Sequence, residues 1–271
     1  MPELPEVETI KRDLAKLLAG KKIFNISTNT PKQIRPSLKT VKKNIIGKKI
    51  KGVKRRAKLL LIFLEDNLVL GVHLKMTGQL FFKKNTEPKN KHQRAVITLS
   101  EGKELRFNDL RKFGYLQLIK GKKELDSTLE KYGPEPFLDL DFVYFKKLLT
   151  STSRAIKIVL MDQSKISGIG NIYANDALFL ARVNPAKPAN KITAGKAKKL
   201  YNSIHQVLKA GIRFRGASDQ SYLDALGQKG SYQDHFLTYK RAGEKCFNCG
   251  AKIKRIKLGG RGTFYCPICQ K

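Results

Sequence analysis

Apolar residues recur at helical spacing from the start of the chain: Val7, Ile10, Leu14, Leu17 and Leu18 form one stripe between Pro5 and Gly20. Pro5 suits a first helical turn, where no amide donor is needed, and Gly20 suits the stop. The pattern then changes. Segments 22–28, 49–55, 58–65, 67–74, 95–99, 104–107 and 115–119 are short runs rich in Ile, Val, Leu and Phe, separated by Gly, Asn, Asp or Lys. Short strands at that spacing predict a sandwich or barrel. After the turn-rich Tyr132-Gly-Pro-Glu-Pro136 the helical period returns over 141–150, 153–163, 171–181 and 193–212. Ile166-Ser-Gly-Ile-Gly-Asn171 separates two of these helices, and a polar, Gly-rich stretch without periodicity runs from Arg215 to about Lys240. The pattern predicts an α+β protein with a helix and β-sandwich over 1–132, a helical domain over 133–240 and a small cysteine-bearing unit over 241–271.

The chain of 271 residues is long enough for about two domains, and 41% hydrophobic residues can bury a core. The longest apolar run, 59–64, is six residues, far short of a spanning helix. Glu3, Glu6 and Glu8 stand where a secretion signal would be apolar, so a cytoplasmic protein with no membrane partner is expected. Lys and Arg number 55 against 22 Asp and Glu, a net charge of +33. Such a surplus repels itself and points to a polyanionic partner. Seven of the eleven residues in 48–58 are basic, and Lys252, Lys254, Arg255 and Lys257 form a second cluster. Clustered cations release counterions from phosphates, which favours nucleic acid. Charge alone does not separate DNA from RNA, or a catalyst from a binder, and a lysine-rich solvating surface is the bland alternative.

The four cysteines are Cys246, Cys249, Cys266 and Cys269, two C-x2-C pairs sixteen residues apart. This is the spacing of a four-thiolate zinc site, and disulfides are the weaker explanation in a reducing compartment. Four thiolates close the tetrahedron, so a single zinc would be structural. The segment between the pairs, 252–262, holds five basic residues and three glycines, a combination able to press backbone and charge against phosphates.

At the other end, Pro2 follows the initiator and its small size favours removal of Met1. The exposed secondary amine would be a nucleophile near neutrality, since an α-amino group titrates at about 8. Condensed with a sugar aldehyde carbon, it gives an iminium, an electron sink for elimination. Glu3 adjoins it and Glu6 lies one turn along, both able to move protons or position the amine. Proline and acids at a helix start need no catalytic reason, so the residues alone leave this open.

The opening Met1-Pro-Glu-Leu-Pro-Glu-Val-Glu-Thr9 resembles that of the bacterial formamidopyrimidine-DNA glycosylases. Arg55-Arg-Ala-Lys58, His73-Leu-Lys-Met-Thr-Gly78, Asn108-Asp-Leu-Arg-Lys-Phe-Gly114, Gly133-Pro-Glu-Pro136, Met161-Asp-Gln163, Gly168-Ile-Gly-Asn-Ile-Tyr-Ala174 and Gly259-Gly-Arg-Gly-Thr-Phe-Tyr-Cys266 resemble family segments in the same order along the chain. The resemblance implies a helix–two-turns–helix element, a zinc-ribbon hairpin and a bifunctional glycosylase and abasic-site lyase of base excision repair. It implies a monomer acting on damaged double-stranded DNA in the bacterial cytoplasm, at the nucleoid. Pro2 would be the Schiff-base nucleophile and Glu3 the acid that protonates the opening sugar. Lys58 would hold a phosphate and donate a proton in β-elimination, and Arg261 would grip phosphates and assist δ-elimination. Met76, Arg111 and Phe113 would fill the space left by the extruded base, although Met76 and Phe113 taken singly read as core. His73, His92, Arg154, Asn171 and Tyr239 would contact DNA, and the loop over 216–233 would cap the flipped purine. The chain departs from the family at Arg94, where a second His is frequent, at Ser218-Asp-Gln220, and at Lys240, where Gly is frequent. Glu3-Leu-Pro5 rather than Glu-Gly-Pro argues against the sister enzymes that prefer oxidised pyrimidines.

Overall fold

The computed structural model describes all 271 residues. The chain forms two compact units, 1–130 with 214–231, and 131–213 with 232–271.

In the first unit, helix α1 (Leu4–Leu18) is followed by β1 (Ile23–Thr28), β2 (Ile34–Arg35), α2 (Leu38–Ile45), β3 (Ile50–Arg56), β4 (Leu59–Leu64) and β5 (Leu68–His73). Then come β6 (Gly78–Lys84), β7 (Gln93–Leu99), β8 (Lys103–Asp109), β9 (Tyr115–Lys120) and α3 (Gly121–Leu129). One sheet runs β1-β7-β8-β6 and the other β2-β9-β5-β4-β3. All neighbours are antiparallel except β2 and β9. One hydrophobic core joins them: Ile26, Ile97, Leu105 and Phe107 from the first sheet meet Val53, Leu60, Leu70 and Leu118 from the second. Val7, Ile10, Leu14 and Leu18 of α1 complete that core with their 3.6-residue stripe. Gly20 takes φ +77°, the left-handed stop its position suggests.

The sequence pattern omits four of these elements, β2, α2, β6 and α3, and it places the polar segment from Arg215 to about Lys240 in the helical domain. In the structure 214–231 folds with the first unit instead. The physical reason is its partners. Arg215 pairs with Asp13 of α1 at 2.7 Å, and Ala217 donates its N–H to Glu6.

The second unit holds α4 (Phe142–Thr150), α5 (Ile156–Met161), α6 (Asn171–Leu180), α7 (Ala194–Arg213) and the hairpin of β10 (Lys254–Leu258) and β11 (Arg261–Tyr265). Helix α6 is buried on nearly all sides. It packs on α7 at Gly211, where an added Cβ would stand 2.5 Å from the Tyr173 ring. The cysteine hairpin shares this unit's packing, since Phe179 of α6 lies in one cluster with Cys246, Ile253, Phe264 and Cys266. No helix is long and apolar enough to cross a membrane.

Candidate active site and nucleic-acid interface

Pro2, Glu3 and Glu6 are all buried at the start of α1. Glu3 caps the helix in a reciprocal capping box, and its backbone N–H donates to Glu6 Oε2 at 2.7 Å. The other Glu6 oxygen accepts the Ala217 N–H at 2.9 Å. Gly216 sits at φ +86°, and a Cβ there would come within 2.9 Å of Glu6 Oε1, so the loop approaches this carboxylate as closely as a backbone can. Burial, and then the neighbouring Glu6 charge, push the Tyr222 phenol well up, and its hydroxyl donates to the Glu6 carbonyl at 3.4 Å. At the base of the loop, Arg215 bridges Asp13 and the fully buried Asp224.

Lys58 is buried at the β3–β4 turn, directly after Ala57, whose φ is +53°. Arg55 ties this turn to α1: its Nε donates to Glu8 at 3.0 Å and its Nη1 to the Ala57 carbonyl at 2.9 Å. Burial pushes the Glu8 carboxyl up, but the Arg12 hydrogen bond and the Arg55 and Lys11 charges outweigh it and leave it below its ordinary value.

Met76 lies in the turn between β5 and β6, and Arg111 and Phe113 in the turn between β8 and β9. Phe113 is 54% exposed, so it is not a core residue, and Met76 is only half-buried. The Arg111 guanidinium lies 4.8 Å from the centre of the Phe113 ring. His73 ends β5, accepts the Lys75 N–H at 3.0 Å and packs against Tyr115. His92 precedes β7, and its carbonyl accepts the Asp109 N–H at 2.9 Å.

In the second unit, Asn171 opens α6 behind Gly170, which is the N-cap. Its amide donates to the Gly262 carbonyl at 3.1 Å, next to the exposed Arg261 at the hairpin turn. Lys157 is buried and donates to the same carbonyl at 3.1 Å and to Thr263 Oγ1 at 2.7 Å, while the Asn175 side chain accepts the Phe264 N–H at 2.8 Å. Arg154, Lys157 and Arg261 line one cavity of about 200 Å³. Arg154 also pairs with Asp162 at 2.9 Å. Tyr239 packs edge-on to Phe264 and donates its N–H to Asp176, so it holds the hairpin side of this unit together. Lys240 follows at φ +59°, a conformation glycine takes without strain, so the departure from the family residue costs this chain about 1–2 kcal/mol locally.

The four cysteine sulfurs lie within 4.8 Å of one another, with 3.9 Å between Cys246 and Cys269 and 3.4 Å between Cys249 and Cys266. A tetrahedron of zinc–sulfur bonds of about 2.3 Å has edges of about 3.8 Å, so the set fits one structural zinc.

Residues 1–116 match the formamidopyrimidine-DNA glycosylase N-terminal domain, 132–222 its H2TH domain, and 243–271 the zinc finger found in FPG and IleRS. The chain is 42% identical to the formamidopyrimidine-DNA glycosylase of Pelotomaculum thermopropionicum over 100% of this chain and 99% of that protein. It is 38% identical to that of Lactococcus lactis subsp. cremoris, with both chains covered in full. The chain belongs to the formamidopyrimidine-DNA glycosylase family. Among solved family structures, the Lactococcus lactis enzyme complexed with abasic-site DNA superposes with a TM-score of 0.94 at 37% identity over 100% of both chains. A family member complexed with DNA containing carbocyclic 8-oxo-G gives 0.93 at 37% identity, again over 100% of both chains.

Within this glycosylase fold, several residues that shape the sites escape sequence reading. Asp176, Lys157 and Asn175 carry no motif signal of their own, and Asp109 lies inside the Asn108–Gly114 motif with no role read for it there. Their partners are other parts of the chain, and a spacing argument does not reach them.

Proposed function

We propose that this chain is a DNA glycosylase and abasic-site lyase that removes oxidised purines from duplex DNA, with the Pro2 nitrogen as nucleophile. The observation that carries the reading is the Glu6 carboxylate. It joins the helix start behind Pro2 to the loop at 216–217, where a purine cap is expected from the family resemblance. The full-length likeness to family members solved with abasic-site and 8-oxo-G DNA supports the substrate class.

The chemistry follows from the groups. A base inside the stack is out of reach, so the lesion must leave the duplex. Met76 and Phe113 are apolar wedges for the gap, and Arg111 offers a guanidinium to the orphaned partner base. The Pro2 nitrogen, once Met1 is removed, attacks C1′. The glycosidic bond breaks with its electron pair going to the base, which leaves protonated. Glu3 gives a proton to the sugar oxygen as the ring opens, leaving an iminium between Pro2 and C1′. Loss of a C2′ proton expels the 3′ phosphate with help from Lys58. A second elimination, assisted by Arg261, expels the 5′ phosphate, leaving a one-nucleoside gap with phosphate at both ends. Asn171, His73, His92, Arg154 and Tyr239 hold the backbone on either side. Zinc, held by Cys246, Cys249, Cys266 and Cys269, supplies a folded hairpin and no bond-breaking step.

Borohydride trapping on abasic duplex DNA tests this directly. The mature protein is expected to form a covalent adduct, and the same chain with Met1 retained, in which the Pro2 nitrogen is an amide, is expected to form none at Pro2. Lack of any adduct with the unaltered protein leaves a non-catalytic DNA binder.

A further inference from the structure

We propose that Asp109 and Thr77 form one clamp that sets Met76 and the Arg111–Phe113 pair as a single rigid wedge, making Asp109 a positioning residue for base extrusion. This rests on the wedge reading above. The clamp itself is geometric.

Asp109 closes β8 and lies opposite Gly78, which opens β6. Its carboxylate is buried and accepts four N–H or O–H groups from three segments. Oδ1 takes the Thr77 hydroxyl at 2.6 Å and the Arg111 N–H at 3.2 Å. Oδ2 takes the Gly114 N–H at 2.8 Å and Gln33 Nε2 at 3.2 Å. The Thr77 oxygen accepts the same Arg111 N–H at 3.0 Å, and Gln33 Nε2 also donates to the Gly114 carbonyl at 2.8 Å. The loop that presents Phe113 is therefore pinned at both ends, and the residue after Met76 is bonded to the same carboxylate.

The pinning matters because these loops have no core of their own. Leu110 and Phe113 are both more than half exposed. Lys75, before Met76, and Lys112, before Phe113, sit at φ +53° and +58°, where a side chain is strained. Gly114 leaves no slack either, since a Cβ there would come 2.6 Å from the Phe107 ring. A wedge that must part a base step works only if it does not fold away under load. A buried charged acceptor satisfied on both oxygens gives that stiffness.

The test compares Thr77→Val and Asp109→Asn with Met76→Ala and Phe113→Ala, in the zinc-loaded full chain. Single-turnover excision of 8-oxoguanine opposite cytosine is measured beside cleavage of a pre-formed abasic site in the same duplex. A fluorescent aminopurine next to the lesion reports unstacking. Thr77→Val and Asp109→Asn are expected to slow excision on the order of 10- to 100-fold, to slow abasic cleavage much less, and to weaken the fluorescence rise. Met76→Ala and Phe113→Ala are expected to be non-additive in the parent chain and additive in the Thr77→Val background. Equal losses on both substrates for the clamp variants, with Phe113→Ala still selective for the lesion, overturn the clamp and leave the wedge. Equal losses for Phe113→Ala as well overturn the wedge reading and the clamp with it. Should Asp109→Asn fail to fold, Thr77→Val, which removes one hydroxyl, decides the matter alone.

Discussion

Glu6 and Ala217 are joined by a 2.9 Å hydrogen bond from the Ala217 backbone N–H to Glu6 Oε1. The other Glu6 oxygen holds the Glu3 N–H at 2.7 Å, so one buried side chain fixes both the helix start and the loop that closes over it. Glu6→Gln keeps the shape but turns one acceptor into a donor. One buried N–H then loses its partner, at about 1–3 kcal/mol. Hydrogen exchange at the Ala217 amide is expected to rise on the order of tenfold or more, with the β4 and β5 amides unchanged. Unchanged exchange at Ala217 would show that the loop holds its place without this bond.

Zinc removal should act on one part of the molecule. The hairpin tip is held by Lys157, Asn171 and Asn175, and a zinc drawing the four sulfurs together is expected to order the backbone these bonds reach. Treatment with a strong chelator is expected to abolish exchange protection at the Phe264 amide and weaken DNA binding, while the sandwich amides stay protected. A protected Phe264 amide in the zinc-free protein would mean that the side-chain bonds suffice.

Asp176 gives a pH signature of opposite sign to most carboxylates. Burial pushes it from 3.8 up to about 6, against hydrogen bonds from the Thr238 and Tyr239 N–H groups and the Tyr232 hydroxyl. Between those two values the native state binds more proton than the unfolded chain. Its contribution to stability therefore falls as pH rises through that window, by at most about 3 kcal/mol. Glu8 and Asp162, held below their ordinary values, act the other way and are lost as pH falls. The stability difference between the parent chain and Asp176→Asn cancels those groups and the acid sensitivity of the zinc site. Denaturant unfolding at pH 4 and pH 7 is expected to favour the parent more at the lower pH. A constant difference would mean that Asp176 is not perturbed.

What the sequence made legible divides along physical lines. Helix α1, most strands and the four longer helical runs show in the apolar period because each buries a stripe against a common core. Strand β6, Gly78–Lys84, escapes because a glycine opens it and two lysines close it, so its apolar centre is too short to alternate. Helix α3 escapes because of its helical residues only Thr128 is buried. The two-residue β2 exists only through its parallel pairing with β9, which no local pattern encodes. In the candidate site, the cysteine set is readable because its chemistry is tied to spacing, whereas Pro2 and Glu3 draw their proposed roles from the family resemblance. The exposure of Phe113 goes against the core reading that residue type alone favours. The hubs were not readable: Gln33 meets Asp109 across 76 residues, and Lys157 meets Thr263 across 106.

In the proposed reaction one imino nitrogen, that of Pro2, bonds to deoxyribose. Peptide mapping of the borohydride-trapped complex tests it most directly. The added sugar mass is expected on the peptide that begins at Pro2, with Met1 gone. An adduct on a peptide containing Lys58, or on a chain that keeps Met1, would contradict the account.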